Sequence, residues 1–308
     1  MGINPNALRF LAREKKRGTK LGRTAMLGRQ GVHLSAKDCL RILNREFRLS
    51  LDPEEVEKAH SVGFADDLLK TLGADSVDSF DYSDYEGATY THDFNTPVGK
   101  EHKEQYDFLI DGGTLEHVFQ FPTALKSCME MLRVGGVYFG VSPANNEMGH
   151  GFYQFSPEIY FRAFSKENGF KIDDVFLYEG RESKYWYRVT DPDHARKRAE
   201  KVNTHPTYLL VRATKIEKTE IFRTPPLQPD YVSTWASSTE DALPDNSDRS
   251  PRQQKSWWRR MAALLPVTVK RSITITRVHF RQGLRRLGVH LGINPDPDLF
   301  QRFDPKSE

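Results

Sequence analysis

The stretch Asp107-Phe108-Leu109-Ile110-Asp111-Gly112-Gly113-Thr114-Leu115-Glu116-His117-Val118 contains a strand, a glycine break and a polar loop within twelve residues. The strand begins one residue earlier, at Tyr106, and its apolar run ends at Ile110. An acid, two glycines and then Glu116-His117 follow at once. Apolar strands that stop abruptly at glycine and polar residues are the signature of a sheet with functional groups gathered beyond the strand ends.

Working outward, the same punctuation recurs. Thr24-Ala25-Met26-Leu27 reads as a strand stopping at Gly28, and Ser76-Val77-Asp78-Ser79-Phe80 and Ala88-Thr89-Tyr90-Thr91-His92 as two more. After the central stretch a helix is predicted from Pro122 to Arg133, then a strand at Val137-Tyr138-Phe139-Gly140-Val141. Two late strands fall at Asp174-Val175-Phe176-Leu177-Tyr178 and Tyr208-Leu209-Leu210-Val211-Arg212. Upstream, residues 5–17 read as a basic helix ending before Gly18. Residues 35–48 show helical spacing, with Cys39, Leu40, Leu43 and Phe47 on one face and Ser35 as N-cap. A further helical stretch, 53–71, opens at Pro53-Glu54-Glu55, with proline and acids where a first turn favours them. Strands alternating with helices predict an α/β fold, a mostly parallel sheet covered on both faces.

Charge divides the chain. Residues 1–50 carry 12 Lys/Arg and 3 acids, whereas residues 51–120 carry 4 Lys/Arg and 17 acids. From Arg249 to Pro295 there are 11 basic residues and no acid. Segregation of this kind points to separate functional surfaces. The expected organisation is a basic N-terminal helix (1–20), a main domain (21–215), a Pro/Ser/Asp-rich disordered linker (216–250) and a basic amphipathic helical tail (251–308). The paired Trp257-Trp258 beside Arg259-Arg260 suits an anionic membrane surface, contacted through 251–291. An RNA or acidic partner, or packing of the tail on the acidic domain, fits the same charges, although the acidic middle is a poor match for nucleic acid. Mean hydropathy is -0.63 and there is no apolar run of about 18 residues, so no membrane span is expected. The start, Met1-Gly2-Ile3-Asn4-Pro5-Asn6, signals neither secretion nor myristoylation. The only two cysteines, Cys39 and Cys128, fit reduced core thiols in a cytoplasmic protein peripheral to a membrane at most.

Asp107 to Val118 resembles the fourth strand and following loop of class I S-adenosylmethionine-dependent methyltransferases, especially those acting on small molecules. Met131-Leu132-Arg133-Val134-Gly135-Gly136 resembles their turn before strand five, with Val134 in place of the usual proline, and Gly169-Phe170 fits the same pattern. The resemblance covers about residues 21–215. It implies a doubly wound, seven-stranded Rossmann-like sheet, S-adenosylmethionine as cofactor, and methyl transfer, O-directed, to a small molecule or glycan. The rival expectation is a catalytically inactive protein of the same fold that binds a partner or membrane through its basic tail.

A ribose needs a carboxylate that accepts from both hydroxyls, and Asp81, after the strand 76–80, suits that task. Asp93, after the next strand, suits an adenine amino group; both could equally be turn or cap residues. The resemblance places Gly28 and Asp111 beside the same cofactor. The glycine loop diverges, however: Met26-Leu27-Gly28-Arg29-Gln30-Gly31 keeps only Gly28 in place. Gly28 and Asp81 stand 53 residues apart, where dinucleotide folds use about 20, so a helical pair at 35–71 is read as an insertion. His117 is the candidate general base, because imidazole titrates near neutrality. Glu116 would orient it or, as in some related quinone-precursor methyltransferases, help hold a metal, although no metal site is assigned. His150, in an aromatic loop after strand 137–141, is a candidate wall of the acceptor pocket.

Overall fold

The computed structural model describes residues 2–180, 182–228 and 296–307. One compact unit comprises Met1–Ala199, Thr204–Gln228 and Asp298–Glu308; the second, Glu200–Asn203 and Pro229–Pro297, falls almost wholly outside the described residues. The expected tail from 251 to 291, with Trp257 and Trp258, and the linker from 229 onward lie outside them too.

In chain order the elements are β1 (Gly2–Ile3), α1 (Pro5–Lys16), β2 (Gly22–Leu27), β3 (Gly31–Val32), α2 (Ala36–Leu40), α3 (Pro53–Ser61), α4 (Ala65–Thr71), β4 (Ala74–Asp81), β5 (Tyr90–Thr91) and β6 (Tyr106–Asp111). Then come α5 (Phe121–Met131), β7 (Leu132–Asn145), α6 (Pro157–Ala163), β8 (Phe170–Glu179), β9 (Trp186–Val189), α7 (Pro192–Ala195), β10 (Thr207–Lys215) and β11 (Phe300–Phe303). The main sheet has the order β11-β9-β8-β10-β7-β6-β2-β4-β5. From β7 to β5 every pairing is parallel, and β10 runs antiparallel between β7 and β8. The chain enters the sheet at β2, winds outward to β5, then crosses back to β6 on the other side. The switch point therefore lies between β2 and β6, where a crevice opens beyond the strand ends.

This is the doubly wound, mostly parallel sheet that the alternation of elements predicts. It differs in width: nine strands stand where seven are expected, because β9 and β11 pair antiparallel onto the edge beyond β8. Trp186 and Phe303 hold that edge, their rings 6.3 Å apart and both packed on Phe176. Residues 300–303, expected in a helical tail, are thus a strand. The linker expected from Ile216 likewise begins against the domain, with Ile221 buried and the Phe222 backbone N–H donating to Asn168 Oδ1 at 2.8 Å.

Strand periodicity assigns the two cores. Met26, Phe108, Ile110 and Phe139 point to the face covered by α1 to α4, while Ala25, Leu27, Leu109 and Tyr138 point to the face covered by α5 and α6. Stretch 35–48 is helical as predicted, although after Leu40 it widens into a π-helical turn, Arg41–Glu46. Stretch 53–71 divides into α3 and α4 at Gly63, whose φ is 82°. Both cysteines are free and buried.

The basic helix α1 is not a solvated face. Asn4 caps it, accepting from the Asn6 and Ala7 N–H groups at 3.0 Å. Arg13, fully buried, meets Asp174 at 2.8 Å, Arg17 meets the same carboxylate at 2.7 Å, and Glu14 meets Arg212 at 2.6 Å. Part of the positive charge of residues 1–50 is therefore neutralised inside the fold.

Candidate functional site

A cleft of about 420 Å³ opens at the switch point, lined by Gly28, Gln30, Asp81, His92, Asp93, Thr114 and His117 among others. Gly28 follows β2 with φ 66°, and its N–H donates to Phe80 O at 2.7 Å. A Cβ there would lie 2.9 Å from Thr114 Oγ1, so both conformation and space call for glycine. Asp81 ends the neighbouring β4. Its Oδ2 accepts from the Arg29 N–H at 3.2 Å and its Oδ1 from the Tyr82 N–H at 2.7 Å. The Arg29 side chain, itself part of the cleft lining, runs over the Phe64 ring and onto Asp66 and the Glu86 carbonyl. It fastens the turn to α4 and to the loop after β4.

The other predicted cofactor residues divide. Asp93 lines the cleft, but its Oδ1 already accepts from Asn95 N and Nδ2, at 2.9 and 2.8 Å. These bonds hold its carboxyl below the usual carboxylate range. It serves as a turn residue whatever else it binds. Asp111 is withdrawn from the cleft. Fully buried, it accepts from the Thr114 N–H at 2.8 Å, the Gly113 N–H at 3.3 Å and the Tyr138 hydroxyl at 3.2 Å. Its work is to shape the loop 112–115, which brings Thr114 and His117 to the cleft.

Gln30 and His92 are the residues that sequence reading missed. Gln30 is buried, donating to Leu27 O and to Thr114 Oγ1, and its carboxamide lies where a Cβ on Gly112 would stand. It fills space that a second glycine would leave open. Its place inside the divergent glycine loop was the available signal. His92 follows β5, its ring edge-on to Phe94 at 4.8 Å. Nothing in its sequence context marks it.

Behind His117 the chain gathers two further predicted residues. The loop after β7 folds back so that the Phe152 and Tyr153 N–H groups donate to Glu116 O at 2.8 and 3.2 Å. This brings His150 Nε2 to 3.7 Å from Glu116 Oε1, and the His117 and His150 rings to 5.2 Å. Burial pushes the Glu116 carboxyl well up, and the nearby Asp111 adds to it; Asp111 is raised less because backbone N–H groups and Tyr138 offset its burial. Burial, then His150, push the His117 imidazole down. Phe119 and Phe152 stand exposed beside this group, their rings 5.9 Å apart.

No protein-family model matches the chain, and no curated protein does. Among solved structures it is similar to the N-methyltransferase NodS from Bradyrhizobium japonicum, in complex with S-adenosyl-L-homocysteine. That match has 12% identity and a TM-score of 0.37, covering 69% of this chain and 87% of that one. The branched-chain polyamine synthase from Thermus thermophilus matches at 13% identity and a TM-score of 0.38, over 74% of this chain and 61% of its own. The trans-methyltransferase CalH, also in complex with S-adenosyl-L-homocysteine, matches at 14% identity and a TM-score of 0.39, over 68% of this chain and 57% of its own. The fold assignment stands on the strand order and the switch point described above. Among the described residues no helix is long and apolar enough to cross a membrane.

Proposed function

We propose that the protein is an S-adenosylmethionine-dependent methyltransferase, O-directed, whose acceptor is a small molecule or a glycan. The observation that carries this reading is the juxtaposition of the Gly28 turn with the Asp81 carboxyl at the switch point. The residues fit the cofactor. A glycine turn admits close approach of a ligand, Asp81 offers a carboxylate for ribose hydroxyls, and a volume of about 420 Å³ suits a molecule of nucleoside size. When bound, S-adenosylmethionine supplies an electrophilic methyl group, and transfer is a displacement at carbon. The protein's part is alignment and proton removal. Asp81, Gly28 and Thr114 orient the cofactor side, while His117, with Glu116 and His150 behind it, serves the acceptor side. Calorimetric titration with S-adenosylhomocysteine tests the reading, and a folded protein that gives no binding removes it.

One observation favours a second reading. The Gln30 carboxamide packs against Gly112 inside the turn after β2, which suits a fold kept for partner or membrane binding. The same titration separates the two. The basic segment 251–291 is proposed to contact an anionic membrane surface under either reading.

A further inference from the structure

Glu116 is the most anomalous side chain beside the cleft. It is wholly buried, yet among the described residues neither Oε1 nor Oε2 meets a hydrogen-bond donor. Buried polar groups are as a rule paired, so a doubly orphaned carboxyl calls for a partner. What surrounds it is ligand chemistry. His117 is next in the chain, and His150 is delivered from the loop after β7 by the two backbone bonds to Glu116 O. One ligand atom from each of the three residues lies within 4.8 Å of the others.

We propose that Glu116, His117 and His150 form a binding site for a divalent transition-metal ion of the zinc type. Two imidazoles and one carboxylate make a three-ligand set with open positions for water or substrate, the pattern of catalytic rather than structural sites. Imidazole nitrogen selects first-row transition ions over magnesium and calcium, which take oxygen ligands. Metal–ligand bonds of about 2.0–2.2 Å set the donors roughly 3–3.6 Å apart. The approach from 4.8 Å falls to the two histidines, since His117 is exposed and His150 half-buried while Glu116 is fixed in the core. The cation would give the buried carboxyl a directly bonded charged partner, where among the described residues the nearest ionisable nitrogen is that of His150 at 3.7 Å. Because His117 lines the cleft, an ion held by it would lie at the cleft's edge. The site rests on this cluster alone and is independent of what the cleft binds. With a metal in place, His117 is a ligand, and the cation's charge, not a free imidazole, promotes loss of a proton from a bound hydroxyl.

The test uses the full chain, without an affinity tag, stripped with a chelator. Zinc is titrated by calorimetry, cobalt(II) by visible absorption, and magnesium serves as the control. The expected result is close to one equivalent of zinc, ligand-field bands for cobalt, and no heat from magnesium at the same concentrations. His150→Ala, on a surface loop, and the shape-preserving Glu116→Gln should each weaken zinc binding at least about tenfold with an unchanged far-ultraviolet spectrum. Absence of stoichiometric zinc binding, equal heat from magnesium, or full zinc affinity in either variant overturns the proposal. Titration of the same stripped protein with S-adenosylhomocysteine is read separately, so failure there removes methyl transfer and leaves the metal site standing.

Discussion

Asp81 Oδ2 accepts the backbone N–H of Arg29 at 3.2 Å, which ties the carboxyl at the end of β4 to the turn after β2. The bond ties together the ends of the neighbouring strands β2 and β4 and leaves the carboxylate at the cleft wall, with acceptor capacity to spare. Asp81→Ala should weaken S-adenosylhomocysteine binding by about 1.5–3 kcal/mol, the scale of hydrogen bonds to a charged group. Calorimetry checks it, and a variant binding as tightly as the parent would place the ribose elsewhere.

Gly28→Ala forces a left-handed residue to carry a Cβ, 2.9 Å from Thr114 Oγ1. Conformation alone costs about 1–2 kcal/mol, so a lower Tm and weaker cofactor binding are expected together. An unchanged Tm would show that the turn adapts.

His117→Ala should lower methyl transfer roughly 10²–10⁴-fold, with affinity for S-adenosylhomocysteine nearly constant because Asp81 and Gly28 are untouched. Turnover equal to the parent on a working acceptor would make His117 a loop residue and leave His150 as the next to test.

Asp174 should contribute to stability in a pH-dependent way. Burial alone would raise its carboxyl, but the guanidinium groups of Arg13, Arg17 and Arg188 outweigh burial and hold it below the usual range. A carboxylate lowered on folding stabilises the native state fully above its unfolded value, about 3.9. That contribution fades as pH falls through the lower native value. Asp174→Asn removes the buried carboxylate that Arg13, Arg17 and Arg188 share and should cost about 3–5 kcal/mol at neutral pH. Denaturant unfolding at neutral pH and below pH 4 checks both magnitude and sign: the difference between variant and parent should shrink in acid.

The acid-free segment from Arg249 to Pro295 should bind anionic liposomes in a salt-sensitive way, because screening shortens the reach of its charges. Equal sedimentation with neutral and anionic vesicles would count against a membrane contact.

Local pattern alone determined the central sheet. The runs at 24–27, 76–80 and 106–110 are short, rich in β-branched, aromatic or other apolar residues, followed at once by glycine or acid, and separated by stretches of helical spacing, and each lies within β2, β4 or β6. Gly28 and Asp81 were legible for the same reason, since strand ends in a parallel sheet share one edge. Tertiary structure alone decided the rest. Strands β9 and β11 are short, lie far apart in sequence and are held by Trp186 and Phe303 on Phe176, so no local period announces them. Asp111 reads like Asp81, yet its carboxylate turns inward because the N–H groups of its own loop and Tyr138 offer it donors. His150 stands 34 residues from Glu116, and the backbone bonds of Phe152 and Tyr153 to Glu116 O, with the Tyr153 hydroxyl on Phe119 O, bring its loop alongside. A loop's path depends on contacts distant in the chain, and that is why the residues grouped around Glu116 could be named from the sequence but not brought together by it.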